Sequence, residues 1–291
     1  MAKTTELYVA RSPKAAAVTG EGAALHAGAA AAAGFEITVR FLGGLNKKQK
    51  DAFKKAADRW TKVIVGSLPP VQVDGEVIKG VLITAAGEAI DGPGQILGQA
   101  GPTRLRPSTA GKAALLPAKG EMAFDTADLA KMEADGTLND VIAHEMGHVI
   151  GIGTVWSRKG LLAGAGTNNP TFTGKAAKKE YGTLRGSAAA PVPVENTGGA
   201  GTADSHWRET VFANELMTGF VGKAGNPLSR LTIASLQDLG YEVDLSAAEP
   251  YKLPDLASLA EAGLLGPHLA PIDGGIMLGS IPVELPEDAL Q

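Results

Sequence analysis

The sequence predicts an α+β domain followed by a largely irregular C-terminal half, and three observations carry that expectation. Phe35, Ile37, Val39 and Phe41 alternate with Glu36, Thr38 and Arg40, the period-two pattern of a half-buried strand. Phe53, Ala56, Ala57, Trp60, Val63 and Ile64 then recur at three- and four-residue steps, the pattern of an amphipathic helix. From residue 154 to about 205, Gly, Asn, Pro, Ser and Thr dominate, which favours loops over regular elements.

A chain of 291 residues is long enough to bury a real core. Its net charge of -4 and its lack of a basic stripe interleaved with aromatics give no electrostatic basis for binding nucleic acid. Uninterrupted apolar runs fall short of the roughly 18–20 residues that a spanning helix needs, so no transmembrane segment is expected. Cysteine is absent, which excludes disulfides, thiolate metal sites and a cysteine nucleophile. The first residues, Met1 to Glu6, lack the apolar core and cleavage site of a Sec-type signal peptide.

In chain order, residues 1–34 are rich in Ala and Gly and are expected to form a flexible N-terminal arm, with a pro-segment role as the lesser alternative. His26 within it reads as solvated. The strand from Phe35 ends at Gly43-Gly44, and the lysine-rich face of the following helix reads as solvated. After Leu68-Pro69-Pro70, residues Val77 to Ala85 read as a second strand, and Glu121 to Asp125 as a short one, at the edge of a cleft and open to pairing with an extended peptide. Gly92-Pro93-Gly94-Gln95 reads as a turn, since no P-loop lysine follows. A helix is expected from near Thr137, with Thr137 and Asp140 as an approximate capping box and Gly151 as its stop. A short helix near Ala176 to Glu180 interrupts the loop-rich insertion. A last helical pattern runs from Leu228 to Leu239, and the tail over 251–291 is expected to pack on the domain. These transitions divide the chain into the arm, an N-terminal subdomain over 35–153, a C-terminal subdomain over 154–250, and the tail.

The chemistry concentrates in His144-Glu145-Met146-Gly147-His148. On a helix, residues four apart share a face, so His144 and His148 can reach one metal ion while Glu145 stands beside it as a general base. That arrangement suits zinc with one position left for water. The bland alternative is a pair of surface histidines beside a glutamate. Zinc also wants a third protein ligand. Of the five histidines, His206 is the one followed at short range by a plausible methionine turn, at Met217; Glu180, Glu195 and Glu209 are rival third ligands.

These residues resemble the leishmanolysin-like branch of the metzincin zinc proteases. Metzincins carry His-Glu-x-x-His-x-x-Gly-x-x-His, and this chain matches through Gly151 but has Thr154 at the last position. Leishmanolysins likewise insert a segment after the glycine and recover the histidine downstream, a role that falls here to His206 in Ser205-His206-Trp207. Their Met-turn corresponds to Met217 in Glu215-Leu216-Met217-Thr218-Gly219. The likeness runs from about Phe35 to about Tyr251. Lacking cysteine, the chain departs from the disulfide-rich eukaryotic members and has no thiolate to hold the enzyme latent.

The resemblance implies a metzincin-like zincin fold, a twisted mixed sheet with an active-site helix above an irregular C-terminal subdomain. It implies one catalytic zinc ion on His144, His148 and His206, with Met217 as an apolar floor; the sequence carries no expectation for calcium. The implied function is a zinc-dependent endopeptidase acting on protein or peptide substrates through a metal-bound water that Glu145 activates. A metal-stabilised peptide-binding or adhesion domain without turnover is the alternative. An extracellular setting is the family-level expectation, reached by a route other than the Sec type. Glu209 and Asp204 are candidates to orient His206, with surface ion pairs as the competing reading. Trp156 and Trp207 either shape the cleft or pack, Tyr241 belongs to the closing helix and strand, and His268 reads as structural or exposed.

Overall fold

The alternation that starts at Phe35 becomes strand β2, Glu36–Gly43, in a computed structural model that describes residues 5–13, 34–92, 94, 97–199, 201–219, 225–255, 277–278 and 281–291. His26 and His268 lie outside those residues, as does most of the arm in which a pro-segment was considered. Ile37 and Val39 are fully buried and Phe41 nearly so, while Glu36, Thr38 and Arg40 stay half-exposed. The expected period-two face is the one that packs.

Part of the arm is a strand. Residues Glu6–Arg11 form β1, antiparallel to β2 from Glu6 opposite Phe41 to Arg11 opposite Glu36. Tyr8 donates to Asp58 at 2.7 Å, and Lys50 pairs with Glu6 at 2.7 Å, so helix α1, Lys47–Val63, secures this edge strand. Ladder hydrogen bonds and these contacts offset the ordering entropy that composition alone left unmatched.

After β3, Val71–Val73, and β4, Glu76–Ile78, which form a hairpin, the main sheet continues with β5, Val81–Glu88, β6, Gly98–Leu105, and β7, Pro117–Asp125. The expected single strand over Val77 to Ala85 is thus split between β4 and β5. Across the sheet the order is β1-β2-β5-β7-β6, with β2, β5 and β7 mutually parallel and β6 antiparallel to β7. Glu121 to Asp125 is the end of the interior strand β7, not an edge. Instead β6 holds the flank, and its outer side pairs in parallel with two tail pieces, β11 at Met277–Leu278 and β12 at Val283–Glu284. The strands β8, Leu162–Ala163, β9, Thr171–Phe172, and β10, Val192–Pro193, form a separate small sheet.

Helix α1 is closed by a capping box in which Asn46 accepts from Gln49 N–H and Gln49 accepts from Asn46 N–H. Helix α2, Thr126–Asp135, is capped by Asp125. The chemically loaded helix is α3, Leu138–Val149; it packs on α1 and on the β6 and β7 side of the sheet. Thr137 sits at its N-cap with helical backbone angles and makes no side-chain cap bond, and the Asp140 carboxylate is engaged elsewhere, so the expected capping box does not form. Asp140 accepts from Gly225 N–H at 2.7 Å and meets Arg59 at 3.3 Å. Helices α4, Lys175–Leu184, α5, Glu209–Phe212, and α6, Arg230–Leu239, belong to the lower half. Trp60, Trp156 and Trp207 are fully buried in one core that runs from the sheet through α3 into that half.

A second, small core lies on the opposite face. Leu82 is out of phase with Val81 and Ile83, so it points the other way and meets Val71, Val73, Ile78 and Ala118. Leu285 and Leu290 of the tail lie against that cluster.

Candidate metal centre

Helix α3 places His144 and His148 on one face, one turn apart. The helix can come close to the lower half because position 147 is glycine: a β-carbon there would stand 2.7 Å from Met217 Sδ and 3.0 Å from Trp60 Cζ2. Trp60 is held in turn by its Nε1–H bond to the Ala143 carbonyl at 2.9 Å. Beyond the helix, Gly153 adopts φ +75°, and a β-carbon there would strike the Ser205 carbonyl oxygen at 2.1 Å. This close approach brings the loop before His206 against the end of α3. Thr154, where the short motif would have a third histidine, donates its hydroxyl to the His148 carbonyl at 2.8 Å and helps close the turn.

The result is a group of three buried histidines, His144, His148 and His206, that can hold a metal ion. Their Nε2 atoms lie 2.9–3.0 Å from one another. Each Nδ1 faces a backbone carbonyl: Leu216 at 2.6 Å for His144, Ile152 at 2.9 Å for His148 and Thr202 at 2.9 Å for His206. A carbonyl only accepts, so every Nδ1 carries the proton and every Nε2 presents a lone pair. Three lone pairs converging without a donor repel one another, and a cation in contact with all three removes that cost. The spacing admits one ion at the zinc–nitrogen distance of about 2.0–2.1 Å. The residues present therefore fit zinc.

Burial keeps the imidazoles neutral. It lowers His144 to about 3 and His148 to about 4, with the neighbouring His148 adding to the effect at His144, and it holds His206 well below the usual histidine value. Glu145 is 2% exposed, and burial drives its carboxyl well above the usual carboxylate range. Its Oε1 is 3.8 Å from His144 Nε2, and its buried Oε2 has no hydrogen-bond partner among the described residues.

The rival ligands lie outside the group. Glu180 pairs with Arg230 at 3.1 Å, Glu195 accepts the Asn196, Thr197 and Glu209 N–H groups, and Glu209 is buried with its carboxyl raised to about 7 by desolvation. Neither Glu209 nor Asp204 orients His206, a task performed by the Thr202 carbonyl and the Ser205 hydroxyl. Asp204 instead accepts from Gly166 N–H at 2.8 Å. Trp156 and Trp207 meet at 4.7 Å between ring centroids with their planes tilted by 30° and are fully buried, so they serve packing. Tyr241 donates to the Ile150 carbonyl at 2.8 Å, joining the end of α6 to the end of α3. Met217 is fully buried beneath the helix at Gly147.

The family model for leishmanolysin matches residues 112–259, just over half of the chain, and that span contains all three histidines, Glu145 and Met217. The chain belongs to the leishmanolysin family. Among curated relatives, a leishmanolysin homolog from Crithidia fasciculata is 37% identical over 86 residues, 29% of this chain and 12% of that protein. A leishmanolysin-like peptidase from Caenorhabditis briggsae is 45% identical over 58 residues, 19% of this chain and 8% of that protein. The matched segments thus span small parts of longer relatives. Strands β1 to β6 of this leishmanolysin-family chain precede the family match, and the observed mixed sheet, helices and irregular lower half agree with the α+β fold expected of it.

Proposed function

We propose that this chain is a zinc-dependent endopeptidase. The observation that carries the proposal is the convergence of three neutral Nε2 lone pairs, each fixed by a carbonyl on its far side, next to a buried glutamate with a free oxygen. His144, His148 and His206 would hold the ion, and Met217 forms the apolar floor below them. Zinc bound there would supply Lewis-acid activation of water and stabilise charge developing on the scissile carbonyl. Glu145 takes the proton from the attacking water and later delivers it to the departing amine nitrogen. Its burial favours that exchange, because a carboxylate stripped of water gains most from accepting a proton. The leishmanolysin relatives support a protein or peptide substrate.

The test measures zinc content and casein cleavage for the wild type, Glu145→Ala and His206→Ala. Glu145→Ala is expected to keep zinc while cleavage falls about 10²–10⁴-fold, and His206→Ala to lose zinc as well. Normal zinc content in His206→Ala would overturn the ligand set. A wild type that binds zinc stoichiometrically yet cleaves no peptide library would instead favour a metal-stabilised binding domain.

A further inference from the structure

Two of the three carbonyls that orient the histidines are local to their ligands. Ile152 lies in the turn that follows α3, and Thr202 lies four residues before His206. The third is not: Leu216, which accepts from His144 Nδ1–H, is 72 residues away in sequence. Its carbonyl faces His144 only if the peptide plane that carries it is held.

That plane joins Leu216 to Met217, so the Leu216 C=O and the Met217 N–H belong to one rigid unit and point in opposite directions. The N–H end is clamped by Glu215, whose Oε2 accepts from it at 2.6 Å. The other oxygen of Glu215 is anchored on the start of α6, accepting from Ser229 N–H at 3.2 Å, Ser229 Oγ–H at 2.6 Å and Thr232 Oγ1–H at 2.5 Å. The carboxylate is 1% exposed and accepts four hydrogen bonds, so it is fixed in place. The Glu215 oxygen accepting on the N–H side also polarises the peptide and strengthens its carbonyl as an acceptor.

We infer that Glu215 is a positioning residue for the metal centre, acting on His144 through the Leu216–Met217 peptide and so setting the affinity for the ion. The arrangement is a carboxylate–histidine pair with one peptide group between its members. The inference rests on the reading of His144 as a ligand and does not require peptide turnover. A purely structural role, tying the turn to α6, is the competing explanation. It predicts loss of stability without a specific effect through His144.

The experiment is a chelator competition for zinc, with the visible spectrum of the cobalt(II) form as a second readout, on the wild type, Glu215→Gln, Ser229→Ala, His144→Ala and the Glu215→Gln/His144→Ala pair. Glu215→Gln places an amide donor against existing donors; its zinc dissociation constant is expected to rise about 10–100-fold, with an altered cobalt spectrum. Ser229→Ala, which removes the α6 cap and one of the four hydrogen bonds to Glu215 but leaves the Met217 clamp, is expected to lower the melting temperature and to weaken zinc binding less than Glu215→Gln does. In the His144→Ala background, Glu215→Gln is expected to weaken binding no further. Wild-type zinc affinity in Glu215→Gln, or equal weakening in both backgrounds, overturns the inference. If Glu215→Gln does not fold, amide exchange in the wild type decides: zinc must slow exchange at Met217 N–H more than at Ser229 N–H, by reciprocity of the coupling, and equal slowing overturns it. Failure of the protease proposal appears separately, as a zinc-loaded wild type without cleavage.

Discussion

Gly153 and Gly147 lack side chains for steric reasons, but the atoms a β-carbon would strike differ in how far they yield. At Gly153 the obstacle is a backbone carbonyl beside His206, and the positive φ adds strain for any other residue. Gly153→Ala is therefore expected to destabilise by about 1–3 kcal/mol and to weaken zinc binding. At Gly147 the nearest atoms are the end of the flexible Met217 side chain, and alanine gains about 1 kcal/mol of helix propensity. The locked Trp60 ring still resists, so Gly147→Ala is expected to destabilise less than Gly153→Ala, as urea midpoints for the two variants would show. At this scale the motif residues were legible: His144, Glu145 and His148 from their spacing, His206 and Met217 from the resemblance. What holds them was not. The Leu216, Ile152 and Thr202 carbonyls carry no residue-type signature, because any amino acid supplies a carbonyl. Glu215 could have been noticed as the carboxylate directly before Leu216-Met217.

Elements were readable in proportion to how much of one face they bury. Helix α1 buries Phe53, Ala56, Ala57 and Trp60 and announced itself, whereas α2 buries only Asp128, Leu129 and Met132 and did not. Strand β1 is six residues long and half-exposed, adjoining an Ala/Gly-rich run, so its pattern was submerged. Asn46 and Gln49 form the capping box before α1, and Asn46→Ala is expected to cost about 0.5–2 kcal/mol of stability in chemical denaturation. Asp125 joins two elements, accepting from Ile90, Asp91 and Gly92 N–H in the loop after β5 and from Ala127 N–H at the start of α2. Those donors hold its carboxyl below the usual aspartate value, with the Ile90 bond the largest cause. A depressed pKa makes the contribution full above the unfolded value of about 3.9 and lost as pH falls through the folded one. The stability gap between wild type and Asp125→Asn is thus expected to be constant near neutrality and to close in acid. A gap that widens below pH about 4 would contradict this account.

For the whole molecule, one core spans what composition had divided at residue 153, because Trp156, Phe172, Trp207 and Phe212 bury against the same cluster as Trp60 and Ile142. Loop-like composition marked the lower half correctly as irregular but could not show that irregular backbone closes over a dense aromatic centre. The tail contributes on the far side of the sheet. Deleting residues 283–291 would remove β12 and uncover the cluster around Val71 and Ile78. The expected result is a loss of about 1–3 kcal/mol with unchanged zinc stoichiometry, read from melting curves and metal analysis.

The distance between His148 and His206 along the chain also orders events in time. Helix α3 alone brings two of the histidines together, whereas His206 joins them only where the loop before it meets Gly153. During synthesis, a ribosome-bound chain ending before residue 206 carries two of the three histidines of the group. Completion of the three-histidine group therefore waits on the lower half. In refolding, cobalt(II) absorbance is expected to appear with the slowest phase of tryptophan burial and not with helix formation.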